Sequence, residues 1–598
     1  MAGALVSRRL AFSNGRLYVE LNDQGLVDTV YFPHVGHESH TGDTPHRVGV
    51  WVDGQISWID DGGWTRCARY DDGSLSGYSV VHNESLGVLL EFNDAIDVDS
   101  NFFYRNIHVV NALSRPRRIK LFMHQAFNIG HNLDDDTAQF IENPHSILHY
   151  GGNRSFVISG ITDEGVGFDQ HSVGLYGQGR DGTWRDAESG NLSLSNSERG
   201  LTDSTIRFSL DVEGLSSRRL HYWLAVANSP RSALAISESV ERVGVERRSE
   251  RSTKLWRRWL QPSVKIASKL KPDYQKFFLE SLMIIRAHID NKGSLVTSSD
   301  GYSDPSAALY AIWPLVRLGY DDESLQLFDF FRSVINSNGS IGPSYRASGA
   351  LAPTSLPFIG SNPPFRSEQT ALAVFVFSQT YLANKHPGLL KDYYQSLVVP
   401  MANFLADFTD EKGLPLASYD LRGGRLQISA YAISVSYAAL VAASEMAEEA
   451  KDQNHMVKWR SAADDMRQTS KGIIVNDFGS LAHSLTDSTP SISALFGAFM
   501  YDLMDVDSPM MLETVKFLEE TRLNDEGLLL DDDDGGAVDY VGSLHLAQYY
   551  LEVGRASEAG NIVDRTKAYL EETSMASADQ VWLRAELIST MLDTITRK

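Results

Sequence analysis

The sequence predicts a chain in two parts, an antiparallel β-sandwich followed by a barrel of six helical hairpins. Three observations predict it. Up to about residue 225, short segments alternate apolar and polar residues between Gly, Asn and Asp turns. From about residue 228 the apolar spacing changes to three and four, as in Leu325, Phe328, Phe331 and Ile335. Twelve helical stretches then follow, the number that six hairpins require.

The elements follow in chain order. Residues 16–21 and 26–32 flank the turn Asn22-Asp23-Gln24-Gly25, and 48–52 and 56–59 flank Asp53-Gly54. Further strands are expected at 87–92, 103–110, 119–127, 155–159 and 205–212. Antiparallel sheets bury one face and wet the other, which explains the alternation. So many short strands with tight turns suit two packed sheets. Segment 229–260 carries charges of both signs and reads as a solvated connecting helix. Helices are then expected to begin near Asp273, Pro305, Asp322, Ser367, Gly388, Ile428, Gln453, Pro490, Ser508, Tyr540, Ala556 and Ala576. Asp304-Pro305, Ser367-Glu368 and Ser508-Pro509 are helix-entry pairs. Stretches 371–377 and 433–443 are apolar on most sides, as inner barrel helices are, whereas 452–470 is amphipathic, as outer ones are. A solenoid is the alternative, but it would repeat at a fixed period and none is visible. The limits expected are 1–225 for the sandwich, 226–268 for the linker helix region and 269–598 for the barrel.

Composition narrows the partners. The 598 residues hold 77 acidic and 54 basic side chains, a net charge of −23, which argues against a nucleic-acid or anionic-membrane partner. The single cysteine, Cys67, excludes an intramolecular disulfide. Segment 432–447 is the nearest approach to a membrane span and is broken by Ser434, Ser436 and Ser444. The N-terminus lacks the apolar run of a signal peptide. A cytoplasmic chain is therefore expected, with the oligomeric state left open. His34, His37, His40 and His46 have no Cys or acid at zinc spacing and read as structural. The acidic run 531–534 lacks the alternating ligands of a Ca²⁺ loop and reads as a solvated turn. No metal and no cofactor are expected.

Several phrases resemble a known family. YFPHVGHESH (31–40), HRVGVWVDGQISWIDD (46–61) and YGQGRDGTWRD (176–186) are similar to glycoside hydrolase family 15, in its prokaryotic glucoamylase, glucodextranase and trehalase branch. NGSIGPSYRASG (338–349), SYDLRGGR (418–425) and DQVWLRAELI (579–588) extend the resemblance over nearly the whole chain. It implies a β-supersandwich followed by an (α/α)6 barrel. It also implies inverting cleavage of α-glucosides by two carboxyl groups at one barrel mouth. One protonates the leaving oxygen, and the other activates a water about 6.5–9.5 Å away.

Carried over residue by residue, the resemblance implies a degenerate site. The general acid falls on Gly423, between Arg422 and Gly424, and glycine has no proton to give. The general base falls on Asp579 of the Asp579-Gln580 pair, one methylene shorter than the expected Glu. An Arg-Asp sugar clamp falls on Ser306-Ala307, with Asp304 close by. Asp420 and Glu368 are the carboxyl groups placed to substitute for the acid. Tyr302, Tyr345, Phe358, Phe365, Tyr419 and Trp582 are candidate ring platforms. Arg346, Arg366, Arg422, Arg425 and Gln580 are candidate hydroxyl binders. Two functions from different classes follow. One is a protein impaired in hydrolysis that keeps at most oligosaccharide or α-glucoside binding, or a regulatory or structural role. The other is an active inverting glycosidase with relocated carboxylates. A scaffold whose barrel mouth binds another protein is a third reading.

Overall fold

The computed structural model describes residues 8–36, 38–42, 44–131, 135–354, 356–358, 364–384, 386–421, 424–472, 474–531, 536–573 and 576–596. Of the residues singled out above, His37, Arg422, Gly423 and 532–534 lie outside these. The chain forms two compact units. The first comprises residues 1–267, 272–291 and 572–577, and the second comprises 268–271, 292–571 and 578–598.

Unit 1 is built on two large antiparallel sheets. One has six strands, in the order Arg180–Asp181, Gln170–Gly177, Thr202–Val212, Arg117–Ala126, Val48–Val52 and Gln55–Trp58. The other has nine, centred on Arg154–Thr162, Ser216–Ala227 and Phe102–Asn111. A third sheet of three strands covers Leu10–Ser13, Tyr18–Leu21 and Val27–Tyr31. Strand Gly77–Asn83 buries every second residue, as its alternating sequence requires.

Three helices belong to this unit: α1 (Pro230–Val243), α2 (Val245–Ala267) and α3 (Pro272–Ala287). The segment read as one solvated helix differs in two ways. It divides at Gly244, and α1 is docked rather than solvated. Ala233, Ser237 and Val240 are buried at spacings of four and three. Ala233 and Val240 join Trp223, Phe102 and Tyr104 on the nine-stranded sheet. The Trp223 indole N–H donates to Ser237 Oγ at 2.8 Å. The abundant surface charge of the segment masks this narrow apolar stripe. Pro272–Asn291 also groups with unit 1 and not with the barrel.

Unit 2 contains α4 (Pro305–Leu318), α5 (Asp321–Val334), α6 (Ser367–Asn384), α7 (Pro387–Tyr393), α8 (Val399–Asp407), α9 (Ala430–Glu449), α10 (Gln453–Ser470), α11 (Ile492–Met500), α12 (Pro509–Thr521), α13 (Tyr540–Glu552), α14 (Ala556–Glu572) and α15 (Val581–Thr596). Helices α4, α6, α9, α11, α13 and α15 each pack on the next, and α15 closes on α4. This closed ring of inner helices makes the unit a barrel and not a solenoid. Helix α9 is long and apolar enough to cross a membrane, yet its apolar window is buried within the ring.

Local backbone constraints hold the barrel loops. Gly293 lies at φ +90°, and a Cβ there would sit 1.7 Å from the Gln326 carbonyl oxygen. Backbone cannot yield as a side-chain tip can. Gly293→Ala is therefore expected to destabilise unit 2 by about 3 kcal/mol or more. A urea titration reads this directly, and an unchanged midpoint would contradict the packing described.

Candidate functional site at the barrel mouth

Four of the inner helices begin at side-chain caps. Asp304, Ser429, Ser491 and Asp539 each accept a backbone N–H from the first turn of α4, α9, α11 and α13. Cap side chains satisfy donors that a helix start leaves open. Arg366 Nη1, just before α6, donates to Asp304 Oδ2 at 2.9 Å, tying two helix starts together. Asp579, in the turn before α15, accepts the Ser299 N–H at 2.7 Å.

Between these helix starts lies a cavity of about 430 Å³, lined by Asp420, Arg425, His483, Asp487, Arg522, Asp531, Asp539 and Trp582 among others. In the ring order, the loop carrying Asp420 precedes α9 and lies across from the entry to α15, where Asp579 and Trp582 are. The Trp582 ring stacks on Tyr310, with centroids 5.5 Å apart and planes 10° apart. Its indole N–H donates to Glu586 Oε1 at 3.1 Å, which fixes the ring's orientation. Tyr310 in turn borders a second cavity of about 280 Å³, further along the inner helices.

Asp420 is 3 % exposed and well supplied with donors. Gln427 Nε2 donates to its Oδ2, and the Arg425 N–H reaches Oδ1 at 3.4 Å. His483 Nε2 is 3.2 Å from Oδ2, and its Nδ1 is 3.0 Å from Ser491 Oγ. Asp487 accepts the Thr489 N–H at 3.0 Å. Burial works against the Asp487 charge, and this bond together with His483 and Arg425 holds the carboxyl below its usual range. Arg425 Nη1 lies 3.6 Å from Asp487, forming an exposed pair at the rim.

Glu368 is the opposite case. It is 1 % exposed at the start of α6, and neither carboxyl oxygen has a hydrogen-bond partner among the described residues. Burial pushes its carboxyl well above the usual range. Arg366 pulls it down, and Asp420 and Asp304 push it further up. Glu368 thus favours the protonated form, but it is not among the side chains lining the cavity.

The remaining candidates separate by position. Asp420, Arg425 and Trp582 line the cup. Asp579 is exposed in the turn before α15 and is not among the cup's lining residues, and Gln580 is buried in the same turn. Tyr302 is half-buried, with the Arg346 guanidinium 6.0 Å from its ring. Tyr345 is 2 % exposed, packs edge-on against Phe330 and accepts the Gly342 N–H, so its surroundings are core packing. Tyr419 is buried in a two-residue strand whose N–H meets the Phe365 carbonyl at 3.3 Å. Phe365 packs on Phe404 and Phe408, while Phe358 is 66 % exposed. Ser306 and Ala307 donate their N–H groups to Asp304, at 2.8 and 3.1 Å.

His483, Asp487, Arg522 and Asp539, not singled out from the sequence, line the cup from separate loops. Asp539 alone carried a sequence signal, as the cap residue at the start of α13. The histidines of the sandwich engage separate partners. His34 pairs with Asp290 at 3.2 Å, His40 with the Phe32 carbonyl at 2.6 Å, and His46 with the Ala126 carbonyl at 3.1 Å.

No family model matches the chain. It is 21% identical over 529 residues to a Methanocaldococcus jannaschii protein described as an uncharacterized glycosyl hydrolase, spanning 85% of this chain and 81% of that one. A bacterial glucoamylase complexed with acarbose superposes with a TM-score of 0.73 at 15% identity, over 100% of this chain and 95% of that chain. A protein from the human microbiome described as a kojibiose phosphorylase gives a TM-score of 0.62 at 9% identity, over 99% of this chain and 87% of that chain. At such identities the likeness defines the fold. The chain has a glucoamylase-like architecture, an antiparallel β-sandwich domain followed by an (α/α)6 barrel.

Proposed function

We propose that the chain binds an α-glucoside in the cup at the barrel mouth and is impaired in hydrolysing ordinary glycosides because glycine stands where the family resemblance places the proton donor. One observation carries this reading. Three of the four carboxyl side chains lining the cup among the described residues, Asp420, Asp487 and Asp539, each accept a backbone N–H. Such donors complement a carboxylate, whereas a general acid must stay protonated near neutral pH. The position that the family resemblance assigns to the acid is Gly423. Trp582 supplies a ring platform, and Arg425 and Arg522 supply N–H groups for hydroxyls. That mixture of one fixed aromatic and convergent polar groups suits a saccharide. The test offers the pure protein maltose, maltotriose, starch, dextran and trehalose, with calorimetric binding in parallel. Binding with little glucose release is expected. Robust release that Asp579→Asn abolishes would overturn the impaired reading.

A second reading is favoured by Glu368. A buried, unpaired carboxyl group held protonated beside Asp420 is the kind of group that donates protons at catalytic sites. If it is a relocated acid, the chain is an active inverting glycosidase. Maltose turnover is then present in the wild type and lost in Glu368→Gln.

A further inference from the structure

We infer that the cavity within the ring of inner helices is a second binding site, and that its guest is an organic ammonium ion with an apolar body. The placement follows from helical spacing. Tyr310, Trp313 and Arg317 of α4, and Glu586, Ser589 and Asp593 of α15, recur at intervals of three and four, so each set forms one stripe on its helix. Both stripes line the cavity of about 280 Å³, together with residues of α6, α11 and α13. Trp313, Arg317, Gln379 and Met500 are half-buried lining residues, so the cavity is reached from solvent past them. Tyr310 lines it as well and stacks on Trp582 of the cup.

The walls are chiefly aromatic, with Tyr310, Trp313, Phe375, Phe496 and Tyr501 all lining the cavity. Trp313 lies parallel to Phe375, at 8° with centroids 5.8 Å apart. Tyr501 stands at 89° to Phe375 and at 78° to Phe496. Crossed ring planes form the sides of a cage, and ring faces attract a cation and repel an anion. The charged groups point the same way. Among the described residues the lining holds two carboxyl groups, Glu586 and Asp593, against one guanidinium, Arg317. Arg317 is turned to the wall, donating to Asp593 Oδ1 at 2.7 Å and to the Ser589 carbonyl at 3.0 Å. Glu586 is 3 % exposed. Its Oε1 accepts the Trp582 indole N–H and its Oε2 the Gln548 amide N–H, both at 3.1 Å. Each carboxylate oxygen has a further lone pair, so Glu586 has room for an N–H brought by a guest. His545 Nε2 lies 3.5 Å from Oε1 but is not a lining group, and the pull of the rings on a cation does not depend on its charge. An anion would meet ring faces and two carboxyl groups. A metal ion has no set of three His, Cys, Asp or Glu to hold it among the described residues. A sugar would press hydroxyls unbonded against Leu372, Phe375 and Phe496. An ammonium group beside Glu586 with its apolar body against the rings satisfies both parts of the wall.

The test uses the full chain and calorimetric titration at low salt. Phenethylammonium is compared with its neutral counterpart, phenethyl alcohol, and its anionic counterpart, phenylacetate. Phenethylammonium should bind as a single equivalent, at least about tenfold tighter than the alcohol. Neither phenylacetate nor D-glucose should displace it. These comparisons are made on the unaltered chain, so none of them depends on a variant folding. Trp313→Leu should weaken phenethylammonium by at least about tenfold, and Glu586→Gln should remove its advantage over the alcohol. Asp487→Asn, in the cup, should leave its affinity unchanged. The inference is overturned if the alcohol binds as tightly as the ammonium ion, or if phenylacetate or glucose displaces it. It is also overturned if neither Trp313→Leu nor Glu586→Gln alters the binding, or if Asp487→Asn abolishes it, which would place the amine in the cup. If maltotriose fails to bind while the Trp313-sensitive binding persists, the saccharide reading of the cup fails and this inference stands.

Discussion

α-D-Glucosyl fluoride should be hydrolysed by this protein far faster than maltose. Fluoride departs without a proton, whereas the sugar alkoxide leaving maltose needs one. General acid catalysis contributes about 10²–10⁴-fold, and that factor is lost only for leaving groups that need the proton. The proposed base, Asp579, stands at the entry to α15 with its Oδ1 accepting the Ser299 N–H at 2.7 Å. A base without an acid, as proposed above, predicts a leaving-group spectrum, not uniform silence. Nitrophenyl α-glucosides should fall between the fluoride and maltose. Asp579→Asn should abolish turnover of the fluoride as well. Comparable kcat/KM for fluoride and maltose would mean that a proton donor operates, and Glu368 would be the first to replace.

The second large effect is on stability below neutral pH. His46 and His149 are both buried, at 5 % and 0 % exposure. Burial, reinforced by the neighbouring His124, depresses the His46 imidazole to about 3, and burial likewise depresses His149 to about 3. Both side chains are bonded in their neutral form. His149 bridges Thr202 Oγ1 at 3.2 Å and Ser204 Oγ at 2.8 Å, and His46 meets the Ala126 carbonyl at 3.1 Å. In the unfolded chain each titrates near 6.5. At these two sites, between pH 6.5 and 3, the unfolded state thus binds two more protons than the folded state. Their contribution to stability is whole above about pH 6.5 and falls by roughly 2.7 kcal/mol for each pH unit below it. Two units of acidification remove about 5 kcal/mol, comparable with the whole stability of many domains. Denaturant titrations from pH 7.5 to 4.5 measure the slope. His149→Gln keeps hydrogen-bonding groups between the two hydroxyls and should reduce it by about 1.4 kcal/mol per pH unit. A slope that this variant leaves unchanged would show that other groups govern acid unfolding.

The two-part architecture was legible because two different periods mark it. Alternation sets the strands of the sandwich, and the wholly apolar 433–443 stretch marks an inner helix of the barrel. Helix α1 was misread because 229–260 is dominated by surface charge, and only Ala233, Ser237 and Val240 record its contact with the sheet. Within the site, periodicity reads faces of elements and is silent on loops. Asp420 and Trp582 were reachable through the family phrases that contain them. His483, Arg522 and Asp539 belong to no such phrase, and only ring closure brings them to one cavity. Tyr345 shows the reverse error. It lies within a matching phrase, yet its hydroxyl is used to accept the Gly342 N–H inside the barrel wall.

The barrel cup is proposed to be a saccharide site built on Trp582 and Asp420. The decisive experiment is calorimetric titration of maltotriose into the wild type, Trp582→Ala and Asp420→Ala. Each substitution is expected to weaken the tighter binding step by at least about tenfold, a loss of roughly 1.4 kcal/mol. Full wild-type affinity in both variants would contradict it.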